Sequence, residues 1–309
     1  MRRIVIILTI SASLYPCFAG INGSVRIAAI RVSFMADETP GTTGNGSFLL
    51  NAVIDTCGRY PIDPVPHDRA YFESQLVAVN NYYRSVSYGK FGLDLDQSTV
   101  FPQTDDGSYI LPEKMDYYHP YNQTDLHDQR VTELFRDAIE TAYNNDEIDF
   151  SNYDHVVVFH AGIGQDFSLP FLDPTPEDIP STFIDGDMLQ EYVGGVLQFG
   201  TATINQGIIL PETQNHLFYQ ESENIFLNTE EPCDYQYGLT DTFALMLGFV
   251  IGLPPLWDTN SGQSGIGIFG LMDQGSNNGR GLIPSPPDAW SRKFAGWELP
   301  LILTPSKMI

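Results

Sequence analysis

The sequence predicts one α+β domain behind an export leader. Three observations carry that reading. Its 309 residues are 42% hydrophobic, enough to bury one large core. Apolar patterns of strand and helix period interleave along the chain, and no repeat, low-complexity tract or linker divides it.

Arg2 and Arg3 followed by the apolar run Ile4 to Leu14 and by Cys17-Phe18-Ala19 have the order of a secretory signal, so residues 1–19 are read as removed. A lipid anchor on Cys17 is disfavoured by Pro16 before it. The mature chain, 20–309, is then a secreted, periplasmic or cell-surface domain, and its ending from Leu301 to Ile309 leaves room for a truncation before further domains.

Val25 to Phe34 reads as a first strand and Thr39 to Ser47 as an exposed loop. Phe72, Leu76, Val79, Tyr83 and Val86 form one helical stripe that Gly89 ends, and Phe91, Leu93 and Leu95 alternate as a strand. Val131, Leu134, Phe135, Ala138, Ile139 and Ala142 mark a second helix, and His155 to His160 a buried strand. Pro170 to Asp187 reads as loop, Thr201 to Leu210 as a strand, and Phe243 to Ile251 as a helix apolar on every face, hence central. Irregular Gly/Pro-rich structure follows Gly252. The run from Phe243 to Pro255 is shorter than the ~20 residues of a membrane span, so no span is predicted in the mature chain.

Acidic residues number 39 against 15 basic, a net charge of −24, which repels a phosphate backbone and excludes nucleic acid as a natural partner. The charge fits a soluble surface in a salty exterior, with cation binding as the alternative. Cys57 and Cys233 are the two cysteines left after the leader, a disulfide candidate in an oxidising compartment, against the alternative of two free thiols. Asn22, Asn45 and Asn122 head glycosylation acceptor triplets.

Most motifs dissolve on inspection. Gly265 to Gly270 matches GxGxxG but follows a loop, where a dinucleotide fingerprint must leave a strand and open a helix. Asp55-Thr56-Cys57 and Asp258-Thr259-Asn260 lack the glycine of an aspartic peptidase turn, and no GxSxG elbow occurs. The histidines at 67, 119, 127, 155, 160 and 216 include no pair three or four apart, so no helical face offers two of them to a metal. Asp94 with Asp96, Asp185 with Asp187, and Asp258 with Asn260 are oxygen pairs that could hold calcium, or solvated turns.

The strongest signal lies between Thr240 and Trp297. Gly252-Leu253-Pro254, Leu256-Trp257-Asp258-Thr259, Ser264-Gly265-Ile266-Gly267, Gly270-Leu271-Met272, Ala289-Trp290 and Gly296-Trp297 occur in that order. This segment resembles the immune inhibitor A family of secreted zinc metallopeptidases. There a helix bearing HExxH runs into Gly-Leu-Pro, an Asp-Thr loop and a methionine turn. Tyr82-Tyr83, Ser87-Tyr88-Gly89-Lys90 and Val156 to Gly162 look like that family's upstream helix and central strand. The resemblance implies a zincin- or metzincin-like α+β fold, with a mixed sheet, upstream helices and a buried former active-site helix.

The departure is at the chemistry. HExxH works because two histidines four apart face one zinc while the glutamate between them takes a proton from the metal-bound water. Counting back from Gly252, those three places hold Leu245, Met246 and Phe249. A third ligand would fall on Pro255, which cannot ligate, with Asp258 the nearest carboxylate. Leu, Met and Phe suit a core, each burying ~1.5–3 kcal/mol. Met272, the family's floor beneath the metal, is read as core packing. The implied protein is a metallopeptidase-like domain without peptidase activity, with a peptide- or protein-binding or a structural role. No cofactor is expected: zinc is disfavoured and calcium is left open. One rival is an endopeptidase with non-standard ligands such as His160, His216 and Asp258; another is a calcium-stabilised surface module.

Overall fold

A computed structural model describes residues 20–36, 38–51, 60–166, 173–218 and 233–301. Residues 1–19, read above as a leader, and Cys57 lie outside the described residues. In chain order the elements are β1 (Gly23–Val25), β2 (Ile27–Ser33), α1 (Arg69–Val86), β3 (Phe91–Leu93), β4 (Thr99–Phe101), β5 (Tyr109–Ile110), α2 (Met115–Tyr118), α3 (His127–Asp146) and β6 (His155–Ile163). There follow β7 (Thr182–Ile184), α4 (Gly186–Tyr192), β8 (Leu197–Phe199), β9 (Ala202–Ile204), β10 (Gly207–Thr213), β11 (His216–Phe218), β12 (Cys233–Tyr235), α5 (Leu239–Val250) and α6 (Ala289–Phe294).

The chain is a mixed α+β fold around a six-stranded sheet of order β4-β2-β6-β10-β7, with β5 also paired to β2. All pairings are parallel except β7 against β10, which runs antiparallel at one edge. Every residue of β2 and β10 is buried, the mark of strands covered on both faces. Phe159 of β6 packs on Phe72 of α1 and Phe243 of α5, so those two helices lie on one face. Leu210 is in register with Phe159 and shares its face. Gly207, three residues earlier, therefore points to the other face, where Phe135 of α3 stands so close that a Cβ on Gly207 would meet it at 2.4 Å.

Local chemistry explains the helix ends. Asp68 caps α1 by accepting the Tyr71 N–H at 3.0 Å. At the other end the Gly89 N–H reaches the Arg84 carbonyl at 2.7 Å and the Tyr88 N–H that of Ser85 at 3.3 Å, a Schellman closure that puts Tyr88 at φ +58°. No helix among the described residues is long and apolar enough to cross a membrane.

Three boundaries differ from the sequence pattern. Leu95 lies beyond β3 and is exposed, because the Ser98 and Gln97 N–H groups turn back onto the Asp94 carbonyl. The Thr201 to Leu210 run is broken into β9 and β10. The Pro170 to Asp187 stretch contains β7 and the start of α4, whose cap is Asp185.

Tyr88 occupies a left-handed position that glycine adopts without steric cost, and its ring is largely exposed. Replacing it, Tyr88→Gly, should therefore stabilise the fold by about 1 kcal/mol, seen as a higher urea midpoint at unchanged slope. A lowered midpoint would mean that the ring's contacts outweigh the backbone strain.

Candidate functional site

Helix α5 is pinned at both ends. At its start the Leu239 N–H donates to Asp63 Oδ2 at 3.0 Å and the Asp241 N–H to the Gly281 carbonyl at 3.1 Å. At its end Leu253 N–H to Gly248 O at 2.8 Å and Gly252 N–H to Phe249 O at 2.9 Å form a second Schellman closure, with Gly252 at φ +88°. The Gly-Leu-Pro motif thus has a physical basis. Glycine takes the left-handed turn, Leu253 is buried against the helix, and Pro254 cannot continue it.

The helix is not buried all round. Leu239, Phe243, Leu247 and Val250 face the core, whereas Leu245, Met246 and Phe249 are only half-buried and share the outward side. Leu245 and Met246 line a cavity of about 350 Å³ together with Asp166, Trp257, Asp273 and Gln274. Phe249 stacks on Phe183 of β7 at 5.7 Å and meets Trp257 edge-on at 5.6 Å. Leu245 and Met246 therefore look onto this cavity, and all three residues pack against the core while staying only partly buried. Their spacing puts them on one helical face, and that face is the one β7 and the Trp257 loop leave partly open.

Met272 lies beneath the helix. Gly248 lets it approach so closely that an added Cβ would meet its sulfur at 2.6 Å. Met272 is fully buried, in keeping with a packing role.

The GxGxxG stretch also has a structural explanation. Asp273 Oδ2 accepts the N–H groups of Gly265, Ile266 and Gly267 at 2.9, 2.7 and 2.8 Å and the Ser264 hydroxyl at 3.0 Å. Three consecutive amides form an anion nest, and the chain's own carboxylate fills it. Burial opposes that charge, but these hydrogen bonds win and hold the Asp273 carboxyl below its usual range.

Two nearby carboxyls behave oppositely. Asp166, on the cavity wall, accepts the Ser181 N–H at 3.0 Å and hydroxyl at 2.9 Å and the Gln214 amide, yet burial raises its pKa. Asp241, in the first turn of α5, is pushed up to about 8, chiefly by burial and further by the charge of Asp166. Asp241 therefore favours holding a proton near neutrality.

The alternative ligands lie apart in role. His160 of β6 is fully buried with its two ring nitrogens 2.9 Å from the Ala161 carbonyl and 3.2 Å from that of Ile179; burial lowers it to about 4. His216 of β11 is buried, packs its ring on Tyr237, and is also lowered to about 4 by burial. Asp258 is exposed and closes its own turn through the Asn260 and Ser261 N–H groups. Among the described residues no three His, Cys, Asp or Glu side chains form a group able to hold a metal. Of the oxygen pairs, Asp94 closes a turn onto Gln97, and Asp185 caps α4 through the N–H groups of Asp187 and Met188. Cys233 is disulfide-bonded, and its predicted partner Cys57 lies outside the described residues.

Sequence reading missed two arrangements. His67 pairs with Glu212 in the core, and His119 meets His127; residues 145 and eight positions apart give no local pattern to find. No family model matches the chain, and no curated protein or solved structure is similar to it.

The raised groups set a pH dependence. A buried carboxyl lifted from 3.8 to about 8 (Asp241) or about 7 (Asp178) favours folding at low pH, and that contribution is lost as pH rises through the folded value. His67 is raised from 6.5 and acts in the same direction above that pH. The melting temperature should therefore fall between about pH 4 and pH 8, from the ordinary carboxyl value to the raised one. Asp241→Asn should flatten this slope and add on the order of 1–3 kcal/mol at pH 8.5, with little change at pH 4. Equal effects at both pH values would show that Asp241 is not the titrating group.

Proposed function

We propose that the protein is an exported, zincin-like domain that has kept a metallopeptidase cleft and lost its metal chemistry, and that it binds an extended peptide or protein segment there. The observation that carries this reading is the placement of Leu245, Met246 and Phe249. They fall where the resemblance would put HExxH, they share one side of α5, and Leu245 and Met246 border a cavity large enough for a side chain. Two imidazoles and a glutamate at these places would face the same space, so an ancestral metal site is sterically reasonable.

The neighbouring strand supports the same reading. β7 is the antiparallel edge of the sheet among the described strands, pairing with β10 on one side. An open strand edge can add an extended peptide through backbone hydrogen bonds, while side-chain pockets give specificity. Phe183 of β7 touches Phe249, so a peptide lying along β7 would pass the Leu245–Met246 cavity and could place an apolar side chain in it. Leu245, Met246 and Trp257 offer dispersion contacts in this cavity, beside the polar side chains of Asp166, Asp273 and Gln274.

Reduced, alkylated casein labelled with fluorescein is a suitable probe of an unfolded chain. Its anisotropy should rise on titration with the mature protein, and Met246→Glu should weaken binding by about tenfold or more by placing a carboxylate against apolar ligand surface. The same preparation should contain no stoichiometric zinc at this place and release no chelator-sensitive fragments. Zinc near one per chain with such cleavage, or binding indifferent to Met246→Glu, would overturn the proposal.

A further inference from the structure

A strongly acidic chain carries one face that is apolar and not acidic. Ile268 and Phe269 in one turn, Leu282 and Ile283 in the next, Trp290 of α6 and Tyr88 just past α1 are all exposed, Phe269 by 79% and Ile283 by 71%. Hydrogen bonds behind them tie these segments together. The Ser285 hydroxyl and the Asn278 amide donate to the Ile268 carbonyl at 2.7 and 3.1 Å, and the Ile283 N–H donates to the Asn278 carbonyl at 3.3 Å. The Tyr82 hydroxyl, on α1, donates to the Ser285 carbonyl at 2.6 Å. Tyr88, Leu282 and Ile283 accordingly border one groove, of about 870 Å³. A Cβ on Gly270 would stand 3.6 Å from that of Asp288, the cap of α6, which sets Trp290 beside the Phe269 turn.

The charge here departs from that of the whole. Residues 82–90 and 264–298, which carry this face, hold Arg84, Lys90, Arg280, Arg292 and Lys293 against Asp273, Asp288 and Glu298, in a chain of net charge −24. Those three acids are engaged. Asp273 is buried among the loop amides, Asp288 accepts the Trp290 N–H at 2.8 Å, and Glu298 pairs with Arg292 at 2.6 Å. Among the described residues no carboxylate lines the groove. A contiguous exposed apolar surface marks a contact with a protein or a membrane. Phe269 and Ile283 project from neighbouring turns, a form that a bilayer accepts without a matching shape, and the amphipathic rings of Trp290 and Tyr88 suit the headgroup level. Charge then selects the membrane. Anionic lipid would repel the acidic body, whereas a face with its acids engaged fits a zwitterionic surface.

We propose that this face docks reversibly on a zwitterionic phospholipid surface, with Phe269, Leu282 and Ile283 entering the acyl boundary and Trp290 and Tyr88 at headgroup depth. Affinity then comes from the apolar area withdrawn from water, and the acidic remainder of the protein keeps its other faces in solvent. The reading does not rest on the cleft beside α5, and a failure of one leaves the other standing.

The test uses protein without residues 1–19, because an apolar leader would itself partition into lipid. On mixing with phosphatidylcholine vesicles the protein should float with them, and its tryptophan emission should shift to the blue and be quenched by brominated acyl chains. Trp290→Phe should remove most of that shift, since Trp297 is buried in the core. The double variant Phe269→Ser with Ile283→Ser should weaken binding by about tenfold or more, whereas Ile110→Ser, which alters an exposed apolar residue of β5, should not. Adding phosphatidylserine should weaken binding, and salt should restore it. Circular dichroism checks that each variant folds. If the double variant does not, quenching of the unaltered protein still decides, because it reports the depth of Trp290 directly. No flotation, full affinity in the folded double variant, or a preference for phosphatidylserine would overturn the proposal. So would self-association of the unaltered protein that the double variant abolishes, which would assign the face to a second copy of the chain.

Discussion

A carboxylate sealed in the core, that of Glu212 at the end of β10, sets the register of the structure around it. Oε1 accepts the Leu49 N–H at 2.6 Å and stands 2.7 Å from His67 Nδ1, while Oε2 accepts the Gly162 N–H at 3.0 Å. His67 Nε2 in turn faces the Asp63 carbonyl at 3.0 Å. Both ring nitrogens thus face oxygen atoms, an arrangement that favours the doubly protonated ring. Burial works against that charge, but Glu212 and then Asp63 outweigh it and raise the His67 pKa. An unpaired buried charge is costly, so the segments that supply these partners cannot drift independently. Asp63 carries the constraint onward, because its carboxylate receives the first amide of α5.

The cleft follows from that anchoring. With α5 held at its start by Asp63 and at its end by the Gly252 turn, its inner face packs on Phe159 and its outer face must look toward β7 and the Trp257 loop. What stands at positions 245, 246 and 249 then decides the chemistry but not the shape. Apolar side chains there lose little by partial exposure, because neighbours such as Phe183 and Trp257 against Phe249 cover part of them.

Periodic elements were legible in the sequence because burial on one face imposes a period. The stripes of α1 and α3, the apolar run of β6 and the position of α5 all follow from it. Gly89 and Gly252 marked helix ends for the reason the structure displays, a left-handed turn. β7 was not legible: three residues set among prolines and aspartates carry no period, and they become a strand only because β10 offers a free edge. The half-exposure of Leu245, Met246 and Phe249 was hidden too, since uniform hydrophobicity does not reveal which side a neighbouring loop fails to cover. Histidine spacing along the chain likewise missed His119 with His127, which the return of the chain from α2 into α3 brings together.

Several contacts join α5 to the loop after it. Phe249 meets Trp257, the Leu256 N–H reaches the Met272 carbonyl at 2.8 Å, and Met272 lies against Gly248. Asp273 then gathers three loop amides and a hydroxyl onto one oxygen. Each such charge-assisted bond is stronger than a neutral one, and together they order a glycine-rich loop that would otherwise be entropically expensive to hold. The loop's order therefore rests on a carboxylate that the chain supplies itself. Binding in the adjacent cavity can then vary with the side chains that line it, while the turn that shapes the cavity stays where Asp273 holds it.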